Sequence, residues 1–588
     1  MSKKELGIIL LIFSIFILLL FVPMLKKYVE NPDTAYFNVY HDEKGQPLMK
    51  YHGDEATLYA PYLKEVRKGN FGDPLIKEYS GTWIGINPGI AILPFALLTT
   101  WLGIDAGVVI GIIFFNLLFL LLLYILLKKI ITKKWQACIM TFVLYFTTTL
   151  LQPNKIIALL RNMSWETVWL LITEETRLMR FPSLSFTLLY LLFSLFLLLS
   201  LDKQKGWKKR TCFFLIALNG IIYPYNFMIL SVVVGLFFVK EAWNKNKKAV
   251  STYFFLECNL VLAFAIMWLA KQSMQYDSLI GTVKYGIVST HLITKYTLVG
   301  LSLFLVSTFL YSWYCKKKIK EEIKKTTTLW YFCCIAIAIQ MSINVITGFQ
   351  IQVDLFLNYL PLFFLLLLSY IFFTTCSLEK YKIFWIVLGI LVMVILGVKI
   401  QANIELQPLE TGITGVIDFM NQEGIEEKRI MALHPEAFYL LPIYTNNYLT
   451  MGNTFSTYVN VTQNMERLAQ MYSLYNQTFD EQFWFEHDIG HTHLFHLAYT
   501  YLPYYPPCET CMFDGKKKTL TWFDYGFRKI PDDKKKEYLS FFKQSFTWDE
   551  YEADYLLIDK EQDGTPRQYE RFIPVYENER YLLLAFPE

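Results

Sequence analysis

Residues 53–70 read GDEATLYAPYLKEVRKGN. The stretch is acidic at its head, carries Tyr59 and Tyr62 in its middle and turns basic at Lys64, Arg67 and Lys68. Helical spacing places Asp54, Leu58 and Tyr62 on one face. Pro61 kinks or restarts that helix, and Gly69-Asn70 supplies its stop. Two neighbouring carboxylates, Asp54 and Glu55, set by a short helix can act as a general base or hold a divalent cation. The same residues also suit an ordinary surface helix with Asp54 as its N-cap. What flanks the stretch bears on that choice, because long apolar runs lie on both sides of it.

Of 588 residues, 54% are hydrophobic and only 18% are charged, against about 25% charged in soluble proteins. The shortfall sits in the apolar runs, which marks a multi-pass membrane protein with polar parts attached. Residues 6–25 form the first span. No small-residue cleavage motif follows it, so it reads as uncleaved. Lys3 and Lys4 before it place the N-terminus in the cytoplasm by the positive-inside trend. Residues 26–103 then form the first outer loop. Its last part, 83–102, is apolar but interrupted by Pro88 and Pro94, and reads as a helix on the outer face or re-entrant. Further spans are expected near 104–127, 136–151, 184–201, 250–270, 297–314, 326–346, 355–376 and 383–400. Residues 211–239 are too long for one span and break at Tyr223-Pro224-Tyr225, giving two short helices. The count is about eleven spans, with the basic loops at Lys128–Lys134 and Lys316–Lys325 inside.

From residue 401 the composition becomes that of a globular domain. Residues 416–421 read as helix and 429–433 as a buried strand. Two more strands are expected at 555–558 and 581–585, with helices around 465–475 and 534–542. Alternating strands and helices predict a small α/β domain over 401–588, outside the cell, attached to a membrane domain over 1–400.

The outer side collects the reactive residues. Asp33, Asp54, Glu55 and Glu78 lie in the first outer loop, and Arg177 and Arg180 lie in the second, 152–183. Arginine binds phosphate bidentately, while a carboxylate deprotonates an acceptor or holds a metal. This combination suits a phosphate-bearing lipid, although Arg177 and Arg180 also fit plain interfacial anchors. In the C-terminal domain His487, His491, His493 and His496 precede Cys508 and Cys511. Those spacings suit structural zinc, a tight disulfide or an unremarkable surface. No Gly-rich phosphate loop and no nucleic-acid motif is present.

GDEATLYAPYLKEVRKGN, followed by DPLIKEYSGTWIGINPGIAILPFALLTTWLG at 73–103, resembles the first outer loop of GT-C membrane glycosyltransferases and their bacterial relatives. ETRLMRFPS at 175–183 is similar to that family's arginine-proline entry to a span. The resemblance implies a GT-C fold and inverting transfer of a sugar from a polyprenyl-phosphate donor at the outer membrane face. The acceptor would be a glycan, a lipid or a protein. It implies Asp54, beside Glu55, as base or as holder of Mg or Mn, with Asp33 the rival because it sits nearer the first span, where many family members keep theirs. The inserted segment 38–52 departs from the family pattern and leaves the choice between them open. Glu78 matches the family's later glutamate. Tyr59 would contact substrate, and Arg177 and Arg180 would face the donor phosphate. The other readings are a transporter or flippase for a lipid-linked glycan, and a catalytically silent relative. A transporter should carry ionisable groups or broken helices in mid-membrane. Asn219, Asn344 and the break at Tyr223-Pro224-Tyr225 are the features of that kind read from the spans.

Overall fold

Apolar residues at 9, 13, 16, 17 and 20 recur with the helical period, and they form the buried stripe of the first helix, α1 (Lys3–Glu30). The computed structural model describes residues 3–30, 40–41, 47–48, 60–70, 76–79, 89–150, 183–272, 288–289, 293, 295–317, 319–347, 349–350, 354–376, 381–404, 407–408, 412–433, 435–451, 461–475, 478–481, 511–513, 516–518, 532–561, 563 and 565–587. After α1 come β1 (Tyr40–His41), β2 (Pro47–Leu48), the short helix α2 (Tyr62–Arg67), α3 (Gly89–Leu102), α4 (Ile104–Leu127), α5 (Lys134–Leu150) and α6 (Ser183–Ser200). Next are α7 (Gly206–Ala217), α8 (Asn219–Ile222), α9 (Pro224–Trp243) and α10 (Lys247–Gln272). Then follow β3 (Val288–Ser289), α11 (Lys295–Cys315), α12 (Glu321–Ser342), α13 (Asn344–Thr347), β4 (Phe349–Gln350), α14 (Asp354–Thr375) and α15 (Lys382–Ile404).

Seven described helices are long and apolar enough to cross a membrane: α4, α9, α10, α11, α12 with its continuation α13, α14 and α15. The face of α1 packs on α4, α5 and α15, with Phe16 stacked on Phe142 at 4.2 Å. Helix α3 has 14 residues with Pro94 inside. At 1.5 Å per residue it reaches about 21 Å, short of a hydrocarbon core of about 30 Å. Gly103, at φ +79°, turns the chain straight into α4. The two helices then lie so close that a Cβ on Gly107 would sit 2.6 Å from the backbone of Thr99.

The chain breaks where the sequence places the break. Tyr223 is extended and Pro224 opens α9 in its first turn, where a missing N–H costs nothing. The expectation of two short helices is corrected here, because α9 runs for 20 residues and is itself one of the seven. Inside the bundle at this break Asn226 donates to the Thr187 carbonyl at 2.8 Å and to Asn219 Oδ1 at 3.3 Å. Tyr359 donates to Asn226 Oδ1 at 3.0 Å, and Asn219 reaches Ser194 at 2.7 Å.

The C-terminal part opens with β5 (Gln407–Pro408) and α16 (Ile413–Gln422). It continues through β6 (Arg429–Met431), α17 (Pro435–Tyr444), β7 (Tyr448–Leu449), α18 (Val461–Tyr475), β8 (Cys511–Phe513), β9 (Lys516–Lys518), α19 (Asp532–Phe541), β10 (Tyr555–Asp559), β11 (Ile573–Glu577) and β12 (Tyr581–Ala585). A mixed five-stranded sheet runs in the order β11-β12-β10-β6-β7. Strands β6, β7 and β10 are parallel, and β12 is antiparallel to its neighbours. Alternate side chains divide between two cores. Ile430, Leu449, Leu557 and Leu583 face α16 and α17, while Met431, Leu556, Ile558 and Leu584 face α18 and α19. The result is a three-layer arrangement in which the expected elements at 416–421, 429–433, 465–475, 534–542, 555–558 and 581–585 are present, joined by α17, β7 and β11, which the sequence reading does not include.

Candidate functional site at the seam of loop and sheet

Of the stretch at 53–70 the structure describes residues 60–70, which meet both the helical bundle and the C-terminal sheet. Helix α2 begins after Pro61 and ends in a Schellman motif. The Gly69 N–H bonds the Val66 carbonyl at 3.0 Å and the Asn70 N–H bonds the Glu65 carbonyl at 2.9 Å, with Gly69 at φ +81°. Ala60, Tyr62, Leu63 and Val66 are buried in the same apolar core as the helical bundle, and that core extends to Ile443 of α17. The short helix is therefore wedged between bundle and sheet domain.

Its charged residues meet strand β7 and the turn before β6. Glu65 is fully buried, and its Oε1 accepts a hydrogen bond from the Tyr448 hydroxyl at 2.9 Å. Its Oε2 has no hydrogen-bond partner among the described residues. Lys64 donates to the Asn447 carbonyl and lies 4.2 Å from the centre of the Tyr448 ring. Lys68 pairs with Glu427, and Lys77 donates to the Glu427 carbonyl. Burial pushes the Glu65 carboxyl above the usual carboxylate range, while the Tyr448 hydroxyl, Lys64 and Lys68 pull it back. The backbone adds a second tie. Strand β1 pairs antiparallel with β5, with Tyr40 opposite Pro408 and His41 opposite Gln407.

Next to this buried contact the seam opens into a polar cleft of about 220 Å³. Glu78, Thr450, Gln463, Glu466, Arg467 and Gln470 line it. Glu78 Oε1 stands 3.4 Å from Arg429 and 3.5 Å from Arg467. Arg429 also reaches Glu552 at 3.4 Å, and Arg467 donates to the Thr450 carbonyl at 2.9 Å. These are loose pairs at a partly exposed site, so each is worth about 1 kcal/mol or less. Their guanidinium forks and the neighbouring amides present donors and acceptors for a hydroxyl-rich molecule.

Of the candidate catalytic, substrate-binding and metal residues, Glu78 is the one whose side chain is described, and it stands in this cleft. Asp33, Asp54, Glu55, Tyr59, Arg177 and Arg180 lie outside the described residues. So do His487, His491, His493, His496 and Cys508. Cys511 opens β8, a strand paired with β9, with Cys511 opposite Lys518. Among the described residues no group of three or more His, Cys, Asp or Glu is placed to hold a metal ion.

Sequence reasoning passed over Glu65, Tyr448, Arg429 and Arg467. Only Glu65 had a local signal, since it sits among Tyr62, Leu63 and Val66 on a short apolar helix. The other three acquire their roles from partners hundreds of positions away. No protein-family model matches this chain, and no curated protein matches it.

Proposed function

We propose that this chain is a GT-C-type membrane glycosyltransferase of about eleven spans, with its N-terminus in the cytoplasm and its C-terminal α/β domain outside. It moves a sugar from a polyprenyl-phosphate donor to a glycan, lipid or protein acceptor at the outer membrane face, with inversion. The observation supporting this reading is the seam. A buried contact between Glu65 and Tyr448 fastens the acid-bearing first loop to the sheet domain, while the polar cleft beside it stays open. In this scheme Asp54, or Asp33, is the base or the holder of a divalent cation, and Arg177 and Arg180 engage the donor phosphate. The cation's carboxylates lie outside the described residues, and no step here depends on it.

The test is turnover of a labelled polyprenyl-phosphate sugar by the purified protein in bilayer discs. A positioned base contributes about 10²–10⁴-fold, so either Asp54→Asn or Asp33→Asn should lower turnover by that factor while leaving the thermal midpoint unchanged. Equal turnover by both variants and the parent would remove Asp54 and Asp33 as the base, and no turnover by the parent would remove the enzyme reading.

A second reading, a flippase for a lipid-linked glycan, draws on the buried polar network of Asn219, Asn226 and Tyr359 at the helix break. Movement of a fluorescent lipid-linked glycan between leaflets, with no sugar transfer, would favour it.

A further inference from the structure

Glu257 is a lone carboxyl in the middle of α10. The part of that helix long and apolar enough to cross a membrane runs from Lys247 to Ile266. Glu257 therefore lies about 15 Å from the first end and about 14 Å from the other. Its Oε1 accepts a hydrogen bond from the Ser231 hydroxyl of α9, the helix packed along α10. Its Oε2 is buried and has no hydrogen-bond partner among the described residues.

Among the described residues no cation forms an ion pair with it. On α9 the nearest charged residues, Lys240 and Glu241, are more than two turns beyond Ser231. On α10 itself the neighbours are Tyr253 and Cys258, and the lysines are confined to the ends, at Lys247, Lys248 and Lys271. Helix α7 brings Cys212 and, near its start, Lys208, Lys209 and Arg210; Lys209 is occupied with Thr252 at 2.8 Å, and none of the three pairs with Glu257 among the described residues. Helix α8 brings Asn219, which bonds Ser194 and Asn226. A bare carboxylate in this setting would carry the full cost of an unpaired charge in hydrocarbon. A neutral acid needs far less: its carbonyl oxygen takes the serine hydrogen bond, and its hydroxyl keeps the proton.

We propose that the contact between α9 and α10 is a proton-binding site, with Glu257 as the group that carries the proton and Ser231 as its fixed donor. The ligand is a single proton. Ionisation requires water or a cation to reach Oε2, so loss of the proton is tied to loosening of the two helices. This site is distinct from the seam and holds for the enzyme and flippase readings alike.

Two measurements on the full-length protein in bilayer discs test it. The first is infrared difference spectroscopy of Glu257→Gln against the parent, reading the carbonyl stretch of a protonated carboxyl. The second is labelling with dicyclohexylcarbodiimide, mapped by peptide mass. In that reaction the acid's oxygen bonds the carbodiimide carbon while its proton moves to a nitrogen, and an oxygen-to-nitrogen acyl shift then gives a stable adduct without a leaving group.

An ordinary glutamic acid, with a pKa of about 4.3, loses about 100-fold of its protonated form between pH 6 and pH 8. Here the infrared band and the label on Glu257 should change less than about twofold over that interval, and both should vanish in Glu257→Gln. The band without the adduct still assigns the proton and shows only that the reagent is kept out. Absence of a Gln-sensitive band at both pH values would overturn the proposal. So would suppression of the band by sodium at fixed pH, which would make the site a cation site.

Discussion

Replacing Tyr448 with Phe isolates one hydroxyl at the seam. The ring remains, so the contact of the Lys64 ammonium with its face is kept. What is lost is the hydrogen bond to Glu65 Oε1, the last described hydrogen-bond partner of a fully buried carboxyl, together with a long bond of 3.4 Å that the hydroxyl accepts from Lys68 Nζ and that the Glu65→Gln background leaves in place. A hydrogen bond to a charged group is worth about 1.5–3 kcal/mol, and one between neutral groups about 0.5–1.5 kcal/mol. At about 1.36 kcal/mol per factor of ten, Tyr448→Phe should populate the open seam roughly 10- to 150-fold more. In a Glu65→Gln background the same change should cost only about 2- to 13-fold.

Hydrogen exchange of the α2 amides, corrected for intrinsic rates, reads that opening directly. The pH dependence carries a sign. Burial raises the docked carboxyl above its undocked value. Its contribution to docking is therefore fully present below the undocked value and is lost as pH rises through the docked one. Protection of α2 should fall with rising pH in the parent, and Glu65→Gln should flatten that slope. Equal Tyr448→Phe effects in both backgrounds, or an unchanged slope, would refute the reasoning.

Two further outcomes follow from close packing. Gly107→Ala puts a methyl 2.6 Å from the Thr99 backbone, an overpacking that costs about 1–3 kcal/mol, and should show as a lower thermal midpoint in detergent. Asn226→Ala removes the bond from the Tyr359 hydroxyl to Asn226 Oδ1 and the bonds that Asn226 donates to the Thr187 carbonyl and Asn219 Oδ1. It should destabilise by about 1–3 kcal/mol, and Tyr359→Phe in the same background should recover part of that loss.

The elements were more legible than the contacts. The strands at β10 and β12 announce themselves as short apolar runs, and Pro224 marks its break because proline cannot continue a helix from Tyr223. The seam left no such trace. Glu65 and Tyr448 are 383 positions apart, and no local period says which glutamate of a loop is buried against which tyrosine of a strand. Glu257 was legible and was passed over, because a run of apolar residues masks one carboxyl within it. Averaging hydropathy finds spans and hides their exceptions. For Asp33, Asp54, Arg177 and Arg180, the sequence remains the whole argument.

The same separation of 383 residues sets a clock on biosynthesis. At about 5–20 residues per second, a ribosome needs roughly 20–80 s after making Glu65 to deliver Tyr448. Through that interval every bundle helix from α3 to α15 emerges while α2 waits with its acid unpaired. A chain terminated early thus leaves Glu65 without the Tyr448 hydroxyl and Lys64 without the Asn447 carbonyl, although the apolar side of α2 can already pack on the bundle. Among the charged groups of the first loop with described partners, the buried acid is therefore the last to find one.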